Sequence, residues 1–342
     1  MEGVKPVRYA GITEAYVSRL DGLLRDPEYL NSPRGFASQE HIGVSFSIDD
    51  PRRRLIPMEI RRSNLVFNVA EVLWYFSGRD DLEYMSYYAP GIRRFVMGAD
   101  ALTGTAYGPR IFNFGSSGLD QWESVAETLR DDADTKRAVI QIYRPEELTV
   151  PGNPDVACTI GLQFLARDGR LNLVGYMRAN DAYRGMASDI FSFTFLQELM
   201  ARKLGLELGR YTHMVGSLHL YEPDLGPARR LVAAPRGGNS PDDRMPAMPS
   251  GDQRPHVERV MQIEEGLRTD AVRLGVSEIR TLGLPEYWRQ IVAVFELYRR
   301  CKHRTRADDD GLLDELHPLY RHLMANRFPE LSSTPRIKAQ VS

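Results

Sequence analysis

The residues able to do chemistry gather around one cysteine. Cys158 stands in NPDVACTIGLQF, after a loop marked by proline and glycine and before a stretch that reads as a strand. A lone cysteine is commonly a small apolar filler, but a cation nearby favours its thiolate, which is the nucleophilic form. Some twenty residues on, YMRANDAYRGMASDIFSF supplies Arg178, Asp181, Arg184, Gly185 and Asp189 at a strand end and a helix start. Farther along, GSLHLY sets His219 and Tyr221 two residues apart, on one face of a strand. A strand–loop–helix junction is a common place for a catalytic thiol.

Composition limits what such a thiol can serve. The chain has 342 residues, 42% hydrophobic and 26% charged, with a formal net charge of −2. That excludes collagen-like and disordered chains, and argues against a protein built to grip nucleic acid or an anionic membrane. The two cysteines, Cys158 and Cys301, are too far apart for a CxxC motif and too few for a cysteine zinc site or a disulfide framework. No metal is expected. No apolar run is long enough to span a membrane, and Glu2, Arg8 and Glu14 fall where a signal peptide needs an apolar core. The expected compartment is the reducing cytoplasm.

The elements that must position these residues alternate between helix and strand. Residues 8–26 read as an amphipathic helix and 41–48 as a strand. LVFNVAEVLWYFSG (65–78) is apolar nearly all round and ends at a glycine, as a buried helix does. Residues 137–144 read as a strand, and 162–178 as a hairpin turning at Asp168-Gly169. Residues 189–205 form a long apolar helix and 213–223 a further strand. The fold class expected is α/β (α+β), a sheet packed on buried helices. Residues 1–225 are read as the catalytic core, and 226–255, rich in Pro, Gly, Ser and Asp, as a mobile linker. Residues 256–330 are read as a helical C-terminal extension.

The ordered series A-C-T, Q-F, D-G-x-L, Y-x-R-A-x-D, G-x-x-x-D and H-x-x-G-S-x-H-x-Y resembles the thymidylate synthase superfamily. Upstream pieces follow in the same order: Arg34 in SPRG, Glu71 in AEVLWYFSG, Tyr107 in TAYGPR, and the pair Lys136-Arg137. The resemblance covers residues 8–225 and implies a three-layer fold with a mixed sheet. It also implies a pyrimidine mononucleotide substrate, 5,10-methylenetetrahydrofolate as one-carbon donor, and a homodimer lending Lys136 and Arg137 across its interface. Roles follow by position. Cys158 is the nucleophile, Glu71 with Tyr107 orders a water, and Arg34, Arg178, Lys136 and Arg137 take the phosphate. His219 and Tyr221 take the sugar hydroxyl, and Asp181 supports the site.

Departures from the family pattern bear on the substrate. Asp189 stands where thymidylate synthases have asparagine. On the residues alone two roles are open to it: capping the helix it begins, or pairing with the base edge. An ionised aspartate accepts both hydrogens of an N3-protonated cytosine, whereas asparagine matches uracil. Ala179 replaces a serine and Lys136 an arginine, changes that leave room for a ribose hydroxyl. The departures resemble the cytidylate hydroxymethylase branch, and among these the CMP 5-hydroxymethyltransferases of mildiomycin-type nucleoside-antibiotic biosynthesis. Thr159 follows the cysteine in place of a histidine, RRFVMG (93–98) lacks the family's tryptophans, and the tail TPRIKAQVS does not match. These losses point to water, in place of hydride, completing the reaction on a cytidylate, with CMP favoured over dCMP. The alternatives are thymidylate-synthase-like methylation of dUMP and a catalytically silent homologue that binds nucleotide or RNA.

Overall fold

The computed structural model describes residues 7–96, 101–235, 241–303 and 311–331. Its centre is a seven-stranded mixed sheet: β1 (Val7–Tyr9), β2 (Tyr29–Asn31), β3 (Ser38–Ile48), β4 (Val139–Gln141), β5 (Thr159–Arg167), β6 (Arg170–Asp181) and β7 (Glu207–Tyr221). The spatial order is β1-β3-β7-β6-β5-β4, with β2 on β3. β1 and β3 run parallel, as do β6 and β7, and the remaining pairs are antiparallel. The β5–β6 hairpin turns at Asp168 and Gly169, both at positive φ (51° and 70°). Asp-Gly is suited to a turn of that hand.

Eleven α-helices occur among the described residues. They are α1 (Ile12–Arg25), α2 (Leu65–Phe76), α3 (Leu82–Tyr88), α4 (Gly108–Phe112), α5 (Gln121–Asp131), α6 (Met186–Leu204), α7 (Glu222–Ala233), α8 (Arg254–Arg268), α9 (Val276–Arg280), α10 (Glu286–His303) and α11 (Pro318–Arg327). α6 is the central helix. Phe191, Phe193, Phe195 and Met200 are fully buried between the sheet and α1, α2 and α5. Gly205 closes it in the left-handed region, the ending its sequence announces. α10 packs on α8 and on α2, and Ile291–Arg299 along it are all buried.

Two expectations differ from the structure. Residues 7–9 form a strand paired with β3, and the first helix begins only at Ile12, after Gly11. The stretch expected to be linker begins inside α7, which carries Pro227 within it. Beyond it, Met245 and Met248 are buried, and the Met248 amide donates to Glu198. Pro, Gly and Asp content marks irregular backbone, and buried methionines anchor that backbone to the core.

The sheet is not regular where the site lies. On β7 the buried positions are odd-numbered through Val215 and even-numbered from Leu218; on β6 they are odd-numbered through Met177, and the next is Asn180. β3 has Gly43 at φ 67° opposite this slip. A Cβ on Gly216 would sit 2.7 Å from the Arg178 carbonyl, so glycine permits the close approach of β7 and β6 there. β5 carries a bulge between Thr159 and Gly161. Bulges and slips of this kind re-aim side chains, and here they turn Asn180 inward and leave Arg178 outside the core.

Candidate active site

Cys158 ends the loop entering the bulged start of β5. Its carbonyl accepts the Arg178 amide at 2.9 Å, which fixes it beside β6. The Arg178 guanidinium reaches back over the loop, donating to the carbonyls of Ala157 (2.8 Å) and Val156 (2.9 Å), with Nη2 3.8 Å from the Cys158 Sγ. Burial raises the thiol pKa, while Arg178 and then Arg34 oppose that shift and Asp189 adds to it. Cys301, on α10, is raised to about 12 by burial and by Glu330, with no opposing cation among the described residues. Among the described residues, then, cationic support for a thiolate reaches Cys158 and not Cys301.

Arg34 sits at φ 52°, a left-handed conformation that a non-glycine residue adopts at some cost. Its charge acts on Cys158 from the loop before β3. Its guanidinium has no hydrogen-bond or ion-pair partner among the described residues, as befits a cation kept for a ligand.

Asp155 holds the opposite wall. Its carboxylate accepts the amides of Thr103, Gly104 and Thr105 at 2.7–2.8 Å and the Thr105 hydroxyl at 2.6 Å. Glu147, paired with the buried Arg110, accepts the Ala157 amide at 2.8 Å. Together these acids tie the cysteine loop to the segment that delivers Tyr107. The Tyr107 hydroxyl accepts from Thr159 at 3.0 Å, and its ring stacks on Tyr75 at 4.8 Å. Thr159, expected only as a lost histidine, thus orients the tyrosine.

Two buried carboxyls complete the cleft. Glu71, on α2, accepts from the Ser192 hydroxyl at 3.3 Å and from Tyr75 one turn along the helix. Burial, and then Asp189, raise its pKa to about 8. Asp189 lies in the first turn of α6, whose N-cap is Gly185, so it does not cap the helix. Burial raises it to about 7 against the opposing hydrogen bond from Asn180 (Nδ2 to Oδ2, 2.7 Å). A charge on Asp189 thus makes Glu71 harder to ionise.

The sugar-side residues lie at the strand ends. Asp181 pairs in register with His219, and its Oδ1 accepts the amides of Tyr183 and Arg184 at 2.9 and 2.8 Å. It builds the turn into α6, and Arg184 pairs with Asp224. His219 and Tyr221 meet edge to face at 4.9 Å, and Ala179 stands opposite Ser217 in the ladder. Lys136 and Arg137, just before β4, are exposed, and their side chains have no hydrogen-bond or ion-pair partner among the described residues. The chain's own fold does not bring them to Cys158. Residues 97–98 of the stretch lacking tryptophans, and the tail 334–342, lie outside the described residues.

Asp155, Glu147 and Asn180 carry positioning work that motif reading missed. Asn180 alone left a trace, as a polar residue at the inward-turned end of an apolar strand.

This arrangement matches a known family. A profile of the family described as thymidylate synthase covers residues 31–258, well over half of the chain. The chain belongs to the thymidylate synthase family. The match runs past residue 225 and through the whole of the expected linker, 226–255. A deoxyuridylate hydroxymethyltransferase of Bacillus phage SP01 is 32% identical over 224 residues, covering 63% of this chain and 58% of the relative. One of Delftia phage PhiW-14 is 31% identical over 191 residues, covering 52% of each. The chain thus spans between half and three-fifths of the length of these relatives. Among the described residues, no cluster of three or more His, Cys, Asp or Glu could hold a metal ion, and no helix is long and apolar enough to cross a membrane.

Proposed function

We propose that this family member transfers a one-carbon unit to C5 of a cytidylate and finishes by adding water, giving a 5-hydroxymethyl nucleotide, with CMP favoured over dCMP. The observation that carries the reading is Asp189: a buried carboxyl that keeps a proton near neutral pH in the cleft of the Cys158 thiol. Neutral cytosine offers an amino donor at C4 and an acceptor at N3. A carboxyl with one proton answers both, accepting from the amino group and donating to N3. The same single proton serves the N3-protonated cytosine and the ionised aspartate.

The chemistry follows from these positions. The Cys158 thiolate adds to C6. The C5–C6 π pair moves to C4–C5, and the C4–N3 pair falls on N3, which takes the Asp189 proton. Charge passes from sulfur to carboxylate without a free anion on the ring. C5 is now an enamine carbon and attacks the one-carbon unit; 5,10-methylenetetrahydrofolate, a second substrate, supplies that carbon. Water ordered by Glu71 with Tyr107 takes the C5 proton, and the bond from the new methylene to the folate nitrogen breaks, so that tetrahydrofolate leaves and an exocyclic methylene remains on C5. Water then adds to the exocyclic methylene and the thiolate leaves. Arg34 and Arg178, with Lys136 and Arg137 of a second copy, hold the phosphate. Ile42, Val139, Ile160 and Met214 lie exposed on four strands of the sheet, an apolar surface suited to a homodimer.

A second reading has its own support: both relatives carry the name deoxyuridylate hydroxymethyltransferase. Hydroxymethylation is common to both readings, and the base at C4 separates them. The deciding variant is Asp189→Asn, assayed for turnover of CMP against UMP and dUMP. The cytidylate reading expects loss of cytidylate turnover relative to uridylate; unchanged selectivity would remove Asp189 from base recognition.

A further inference from the structure

Behind Asp189 runs a buried polar chain. The Tyr211 hydroxyl is 2.7 Å from His213 Nδ1, His213 Nε2 is 3.0 Å from Asn180 Oδ1, and Asn180 Nδ2 is 2.7 Å from Asp189 Oδ2. All four residues are buried or nearly so, and no water is needed to complete the chain. Its direction follows from the inventory of donors. Asn180 turns its carbonyl oxygen to the imidazole, so Nε2 must carry the hydrogen. Nδ1 is then an acceptor, and the tyrosine hydroxyl must donate to it. Burial holds His213 neutral, with its pKa lowered to about 3, so a doubly protonated ring is excluded. Every link therefore points toward Asp189, and Oδ2 is held as an acceptor. Glycines make the chain possible: a Cβ on Gly175 would lie 2.7 Å from the Tyr211 hydroxyl, and one on Gly185 would lie 3.3 Å from both Asn180 Nδ2 and Asp189 Oδ2.

A protonated carboxyl is ambiguous without such a chain. With the hydrogen on one oxygen it matches cytosine; with the hydrogen on the other it matches uracil, which needs a donor at O4 and an acceptor at N3–H. We propose that Asn180, aimed by His213 and Tyr211, is the positioning residue that confines the Asp189 proton to Oδ1 and so lets the site choose a 4-amino over a 4-oxo pyrimidine. The proposal rests on the reading of Asp189 given above, with Oδ2 meeting the C4 substituent. Among the described residues, the other groups that face Asp189 are Glu71 and Tyr75 on α2, Tyr107 before α4, Cys158 before β5 and Asp181 on β6. None of these is a cation that could fix the proton instead.

The test is calorimetric binding of CMP and UMP to the full chain without folate, from pH 6 to 9. The ratio of the two affinities cancels the titration of the nucleotide phosphate. Wild type is expected to favour CMP most at pH 6, by about tenfold or more, with the ratio shrinking as Asp189 ionises. Asn180→Leu and His213→Leu are expected to bring the pH 6 ratio near one. His213→Gln, whose amide still donates to Asn180, is expected to keep most of the preference. Equal losses for both nucleotides, leaving the ratio as in wild type, would show a merely structural role and overturn the proposal. A wild-type ratio near one would instead remove the base-reading role of Asp189 itself, and this assignment with it.

Discussion

Replacing Arg178 by glutamine asks how far one guanidinium makes Cys158 a nucleophile. Nη2 lies 3.8 Å from the sulfur. At that separation a unit charge stabilises a thiolate by about 4 kcal/mol at an effective dielectric of 20 and about 1 kcal/mol in water. Arg178 is exposed, so the watery end applies, at about 1–2 kcal/mol. At about 1.4 kcal/mol per unit, the thiol pKa should rise by about one unit in Arg178→Gln. Arg178 also ties down the carbonyls of Val156 and Ala157, so loop release could imitate the effect. Arg178→Lys separates the two causes, because it keeps the charge and loses the fork. The assay is the rate of iodoacetamide alkylation of Cys158 against pH, with Cys301 replaced by serine to leave one thiol. The expected order of inflections is wild type lowest, lysine slightly higher and glutamine highest. Coincident curves for wild type and glutamine, or a lysine curve lying on the glutamine one, would refute the electrostatic argument.

Asp155→Ala removes three amide contacts and one hydroxyl contact and should cost about 2–4 kcal/mol in urea unfolding; a loss under 1 kcal/mol would show that the loop holds without it. Gly175→Ala drives a Cβ against the Tyr211 hydroxyl, with an expected cost of about 1–3 kcal/mol, checked in the same way. Glu71 titrates at about 8 when folded, against an ordinary 4.5. Below 4.5 both states hold the proton, and between 4.5 and 8 only the folded state does, so this group's contribution to stability falls as pH rises. Glu71→Gln should therefore gain on wild type between pH 5 and 8, and a constant difference in unfolding midpoint would contradict the shift. Cys158→Ala should abolish release of the C5 hydrogen from any nucleotide substrate while leaving the unfolding midpoint within a few degrees of wild type.

Much of this was legible before any coordinates. The hairpin at Asp168-Gly169, the buried α2 and α6 and their glycine stops follow from local chemistry and apolar spacing. Glu71 and Tyr107 are marked only by the resemblance of their motifs to the family's, whereas Cys158 and Arg178 are also marked as a thiol and a cation about twenty residues apart. What escaped depends on contacts between distant segments. Asp155 reads as an ordinary loop acid until Thr103–Thr105 is folded against it. Asn180 reads as a spacer within Y-x-R-A-x-D until the slip in β6 turns it inward to His213. The stretch 226–255 reads as a linker because composition cannot show that Met245 and Met248 will be buried. Lys136 and Arg137 stay apart from the thiol within one chain, since the β4–β5 register sets Val139 opposite Gln163, well along β5 from Cys158.

The most direct measurement uses CMP, dCMP, UMP and dUMP carrying tritium at C5, each offered with 5,10-methylenetetrahydrofolate. The account predicts tritium release from CMP above all, with a 5-hydroxymethyl product and no rise in dihydrofolate absorbance. Release confined to dUMP and accompanied by dihydrofolate would contradict it.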